Sequence, residues 1–185
     1  SEAQARFGSS NLGKSIINAM ENYGTDPAVA MWGCRTLESL ILNHEVNNSK
    51  LGPAGGCRCV ANAIMRHQNS RGVISSGLSA LGAFASLASN CYSLGDAGAC
   101  ELTVTGLQEY GTDKRVALGG CRALGNLARN SGNCAWLGAS GACPCVLRVL
   151  EKHSGNSSVA CEGWLAISIM CATNAGCRGR FGQLD

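Results

Sequence analysis

Leu94-Gly95-Asp96-Ala97-Gly98-Ala99-Cys100 decides the fold, because the chain says it again. It returns upstream as Leu51-Gly52-Pro53-Ala54-Gly55-Gly56-Cys57 and downstream as Leu137-Gly138-Ala139-Ser140-Gly141-Ala142-Cys143. The first glycine of the motif belongs to a longer series that also includes Phe7-Gly8 and Phe181-Gly182, with steps of 44, 43, 43 and 44 residues. A fixed period in the range of 20–50 residues marks one supersecondary unit stacked on copies of itself, each unable to bury its apolar face alone. The units read as 7–50, 51–93, 94–136 and 137–180, with 181–185 opening a further one.

Three helical segments fit within each unit. In the third unit, Asn90 to Gly95 reads as a short helical turn. Gly98 to Tyr110 carries Leu102, Val104 and Leu107 on a mostly apolar face, with Glu101, Gln108 and Glu109 polar. Gly111 is expected in the left-handed conformation that ends a helix. Asp113 is expected to cap the next, as is Asp26 before Pro27 in the first unit, with proline at the first helical position. The longest helix follows, from Val116 to about Asn130, with Val116, Cys121, Leu124, Leu127 and Ala128 at helical spacing. Its counterparts run from Ala28 to about Asn43 and from Val159 to Ala172. The extra residue of the longer units falls between Val29 and Gly52 and between Val159 and Gly182, at the far end of the long helix or in the loop after it.

Gly33, Gly77, Gly120 and Gly163 form one column inside the long helices. Glycine there costs about 1 kcal/mol relative to alanine. Four such costs at one place predict that another backbone approaches closely.

Twelve cysteines would suggest disulfides in a short secreted chain. Here they follow the repeat: Cys57, Cys100 and Cys143 lie 43 residues apart, as do Cys91, Cys134 and Cys177. Equivalent positions in adjacent repeats sit about 8–10 Å apart, too far for the Cα separation of a disulfide, below about 7 Å. The expectation is small buried thiols in a reducing compartment, the cytoplasm or nucleus. The pairs Cys57/Cys59 and Cys143/Cys145 diverge by about 200° on a helix, and His44, His67 and His153 fall at helix ends in different units. Neither set suits a metal, and no cofactor is expected. A net charge of +3 without a basic run points to no nucleic-acid partner. No apolar stretch approaches a membrane span. No nucleophile elbow or phosphate loop is present, so no enzymatic activity is expected.

The period, the short-medium-long helix order, the Leu-Gly-x-x-Gly-Ala-Cys motif and Gly120-Cys121-Arg122-Ala123-Leu124-Gly125-Asn126-Leu127-Ala128 together resemble armadillo repeats over nearly the whole chain. The resemblance implies an all-α fold, a right-handed superhelix of four three-helix repeats with partial units at the ends, and a concave groove lined by the third helices. It also implies a protein-interaction scaffold with neither catalysis nor cofactor. In that family an asparagine late in the third helix often binds the backbone of an extended peptide, with a tryptophan four residues earlier. Here the asparagine position carries Ser39, Ala83, Asn126 and Ile169, and the tryptophan position Arg35, Ser79, Arg122 and Leu165. Nuclear-localisation peptides are therefore not the expected ligand.

The concave stripe reads Trp32, Arg35, Ser39, Leu42 in the first unit and Ser76, Ser79, Ala83, Ser86 in the second. The third and fourth units add Gly119, Arg122, Asn126, Arg129 and Glu162, Leu165, Ile169, Ala172. The candidate binding residues are Trp32, Arg35, Ser39, Ser79, Arg122, Asn126 and Arg129, with the arginines pairing with carboxylates of an acidic, partly apolar peptide and Trp32 as an aromatic anchor. The competing explanation is plain: surface arginines are solvated by default, and Trp32 packs under a neighbouring helix. Neither end carries a dedicated polar cap, which solenoids normally require. A second function class follows from that: a segment of a longer solenoid, or an assembly unit that associates head to tail through its ends.

Overall fold

The structure is a computed structural model and describes residues 11–183. Those residues form helices only, in the order α1 (Leu12–Asn22), α2 (Pro27–Ile41), α3 (Glu45–Leu51), α4 (Cys57–Arg66), α5 (Arg71–Phe84), α6 (Ala88–Asp96), α7 (Ala99–Tyr110), α8 (Lys114–Leu127), α9 (Ser131–Ala139), α10 (Ala142–Lys152), α11 (Ser157–Thr173) and α12 (Ala175–Phe181). The short-medium-long order holds in α3–α5, α6–α8 and α9–α11. These complete triplets are flanked by the medium-long pair α1–α2 and the short α12. The long helices α2, α5, α8 and α11 pack one on the next in chain order, giving a solenoid-like stack. The first copy of the beat, Phe7-Gly8, lies outside the described residues.

The expected unit boundaries are out of phase with the helices. Cuts at 93/94 and 136/137 fall inside α6 and α9, because the beat glycine marks the join between the first and second helices, not the start of a unit. The two glycines of that join differ in purpose. Gly55, Gly98 and Gly141 adopt left-handed φ values of 103°, 78° and 84°, a conformation glycine enters without a Cβ penalty. A methyl group on Gly98 or Gly141 would touch nothing within 4 Å, so conformation alone selects them. Gly52 and Gly95 are selected by space. The side-chain amides of Asn90 and Asn133, each from the next repeat, sit where a Cβ would stand, with the Asn133 Cγ 3.1 Å from it. Both asparagines are buried, and the Asn133 amide donates to the Cys91 carbonyl at 2.8 Å.

Asp26 accepts from the Ala28 amide at 2.7 Å and Asp113 from Arg115 at 2.8 Å, so both expected caps form. Gly111 does not end its helix in the left-handed conformation: its φ and ψ are −64° and −10°. Crowding explains that glycine instead, since its Cβ would lie 3.1 Å from Val149 Cγ2 and against the Leu107 carbonyl.

The column Gly33, Gly77, Gly120 and Gly163 also has a different cause from the expected one. The nearest neighbours there are side-chain atoms, not backbone. Each glycine receives a buried or half-buried side chain from the preceding helix of its own unit: Met20, Ile64, Leu107 and Leu150. These knobs form a column of their own at the repeat period, so each unit locks its second helix into a hole in its third. Close backbone approach occurs elsewhere, between neighbouring third helices. A Cβ on Gly119 would lie 2.9 Å from the Ser79 nitrogen, and one on Gly125 would lie 3.2 Å from the Ala166 Cα.

Leu37, Leu78, Leu81, Phe84, Leu124, Leu127 and Met170 fill the core. All twelve cysteines are free. Ten are buried. The Cys91 sulfur contacts the Asn126 carbonyl at 3.5 Å and Cys134 that of Met170 at 3.6 Å, each within one helix triplet, whereas Cys177 reaches that of Cys134 at 3.8 Å in the preceding triplet. Burial pushes the thiols of Cys57, Cys100 and Cys121 up to about 12, which leaves them protonated and poor nucleophiles. Cys161 is exposed and Cys171 half-exposed, so burial does not extend to the whole set.

The extra residue of the longer units falls where expected. The helices α2 and α11 run 15 and 17 residues against 14 for α5 and α8. After α2 the added residue leaves Asn43 at φ 57°, in the left-handed region that asparagine tolerates. That turn builds one wall of the site described next.

Candidate functional site

The C-terminal ends of α2, α5 and α8 border an open hollow of about 700 Å³. Leu42, Asn43 and His44 form one wall, Ser86 and Leu87 the floor edge, and Arg122, Asn126 and Glu162 the far side. Small residues make the space: Gly82 and Ala83 line it from the middle helix, and Ala83 stands where the other units carry Ser39, Asn126 and Ile169.

Two of the seven sequence-derived candidates line this hollow, and both also bond within the protein. Arg122 donates from Nε and Nη2 to Glu162 Oε1 at 3.0 and 2.8 Å. Its stem lies over Gly82, whose Cβ would be 3.3 Å from the Arg122 Cγ. The Asn126 amide donates to the Gly82 carbonyl at 2.9 Å. A primary amide carries two N–H donors and an acceptor oxygen, so one bond does not exhaust it. Arg122 reaches its partner because neighbouring third helices are offset by about one turn: position 122 faces 162 just as 79 faces 119.

The other candidates divide by location. Trp32 is 58% exposed, with the Arg35 guanidinium 5.2 Å from its ring centroid, a cation–π geometry. Trp32 is thus not packed under a neighbouring helix. The Ser39 hydroxyl donates to the Arg35 carbonyl at 2.9 Å along its own helix. Ser79 is where the Gly119 backbone closes in. Arg129 is exposed just beyond α8 and is not among the residues bordering the hollow.

Glu162 also belongs to the site, although its place in the concave stripe does not by itself pair it with Arg122. The signal was present, because a carboxylate stands three positions before the 165 register that corresponds to Arg122. Only the one-turn offset between neighbours brings them together. Glu38, on α2, adds another acid to this face. Burial raises its carboxyl pKa above the ordinary value, against the opposing pull of Arg122 and Arg35. The hollow is therefore mixed in charge, with Glu45 and Glu162 beside Arg122.

No family model matches the chain, and no curated protein matches it either. Among solved structures it is similar to the crystal structure of an engineered protein from the Northeast Structural Genomics Consortium, with a TM-score of 0.78 and 20% identity over 93% of this chain and 69% of that one. A likeness at that identity is one of fold: the helical stack described above is shared, and nothing is carried over to the residues of the hollow.

Proposed function

We infer that the chain is a non-catalytic, armadillo-type interaction scaffold, a right-handed superhelix that binds an extended segment of a protein partner along its concave side. One observation carries this: the hollow of about 700 Å³ where three successive third helices present polar side chains beside exposed Leu42. An extended peptide needs main-chain hydrogen-bond partners and a few side-chain pockets, and Asn126, Asn43 and His44 beside Leu42 and Leu87 supply both kinds. The segment is one of mixed charge with apolar side chains. Glu162 already balances Arg122, so a purely acidic ligand has lost its central anchor, while Arg35 and Arg129 remain for carboxylates at the edges.

Selection of random peptides displayed on phage tests this. Peptides enriched on the wild-type chain are expected to lose at least tenfold in affinity for Ser86→Trp, which fills the hollow from its exposed edge. Equal affinity for both proteins overturns the assignment. Ser86→Trp is preferable to Arg122→Glu, which would place two carboxylates together and confuse binding with folding. A second use of the stack, end-to-end assembly, is favoured by the outer side of α10 and α11, where Trp164 and Leu165 are 59% and 51% exposed.

A further inference from the structure

Each interface between repeats follows one register, and among the described residues the outermost members of that register meet no counterpart. A side chain at the end of each second helix donates to a carbonyl of the preceding repeat: His67 Nε2 to Gly24 at 2.8 Å, the Tyr110 hydroxyl to Gln68 at 3.0 Å, and His153 Nε2 to Gly111 at 2.8 Å. A carbonyl oxygen can only accept, so both imidazoles carry their proton on Nε2 in these bonds. Tyr23 is the member of the donor column that precedes His67, and it is 64% exposed. Ser154 is the member of the acceptor column that follows Gly111.

The same holds for the apolar contacts. Leu78 packs against Gly106 of the next repeat, with its Cδ1 3.1 Å from where a Cβ would be. The Leu78 column is Cys34, Leu78, Cys121 and Trp164, and the first three are fully buried. The Gly106 column starts at Ala19. Along the third helices, position 79 meets 119 and 122 meets 162. The next pair in that series is Leu165 with Trp32, both more than half exposed. An open cavity of about 690 Å³ lies beside Trp164, bordered by Leu147, Leu150 and Ala160.

We propose that the α10/α11 face of one chain docks the α1/α2 face of a second copy, in the register of the internal repeats. This rests on the assembly reading above and specifies its partner. Trp164 then packs on Ala19, Leu165 on Trp32, and the Tyr23 hydroxyl donates to the Ser154 carbonyl. Sizes compensate at the new junction. Trp164 is larger than the cysteine or leucine of its column, and it meets alanine where Val149 is the bulkiest internal counterpart. The contact is heterologous, so its product is an open chain of subunits and not a closed dimer.

Sedimentation velocity over a concentration series is the test, with circular dichroism to show that each variant folds. The wild-type chain is expected to form species that grow beyond dimers as concentration rises. Trp164→Glu blocks one face and Trp32→Glu the other, so each variant alone is expected to stay monomeric over a range at least tenfold higher in concentration. Mixed in equal amounts, they retain one intact face of each kind and are expected to form a one-to-one dimer that does not grow. A wild-type chain that stays monomeric throughout overturns the assembly reading itself. Assembly of the wild type that the two variants do not weaken, or a mixture that stays monomeric, overturns this register while leaving assembly intact.

Discussion

Gly120→Ala probes the knob-and-hole packing within a unit. The new methyl carbon would stand 2.6 Å from Leu107 Cγ and 3.0 Å from its Cδ1. Leu107 is 3% exposed and has no free direction in which to retreat. Alanine gains about 1 kcal/mol over glycine in a helix interior, and overpacking a filled core costs about 1–3 kcal/mol. The net expectation is a loss of about 1 kcal/mol, or roughly 2–4 °C in Tm for a domain of this size. Leu107→Ala alone removes the knob and costs about 2–5 kcal/mol. In the double variant the methyl enters vacated space and the helix keeps its propensity gain. It should therefore be about 1 kcal/mol more stable than Leu107→Ala. The coupling from the cycle is then about 2 kcal/mol, within the range for residues in contact. Gly179→Ala in α12 is the control, since a Cβ there meets nothing within 4 Å, and it should gain up to about 1 kcal/mol. Urea denaturation of the four proteins of the cycle and the control measures all of this. If Gly120→Ala were more stable than wild type by as much as Gly179→Ala, the hole would be slack and the reasoning refuted.

Gly98→Ala should cost about 1–2 kcal/mol by forcing a Cβ into the left-handed region. Gly98→Asn should cost less, as thermal melts of the two would show. On the folded chain near pH 8, iodoacetamide should modify Cys161 first and Cys57, Cys100 and Cys121 only after unfolding, read by mass spectrometry of digested protein; rapid modification of Cys121 would contradict its burial. Glu38→Gln should stabilise the chain at neutral pH, because burial raises the Glu38 pKa and the folded state therefore holds its proton more tightly than the unfolded state. The sign follows directly: the penalty on the charged form grows as pH rises through the folded-state pKa. The gain should therefore vanish below the ordinary value of 4.5, and a gain that persists there would refute the assignment.

The period, the helix order, the capping aspartates and the place of the inserted residue were legible in the sequence, because each depends on a local signal that recurs. What could not be read was which atoms face each other across units. Gly33, Gly77, Gly120 and Gly163 announced a close approach, but only packing shows that a side chain of the same unit makes it. The third-helix glycines that do meet a neighbouring third helix's backbone, Gly82, Gly119 and Gly125, lie on another face. The pairing of Arg122 with Glu162 needed the one-turn offset between neighbouring third helices, which no single repeat contains. Trp32 and Trp164 stand out from their columns in the sequence. Their common place, at the two ends of the described stack, required knowing which columns touch.

Hydrogen–deuterium exchange of the chain with and without a peptide selected on it tests the concave-binding claim most directly. Protection is predicted in residues 41–45, 82–87 and 122–126, which border the hollow between α2, α5 and α8. Protection confined to α4 and α7, or to the α10/α11 face, with those three segments unchanged, would contradict it.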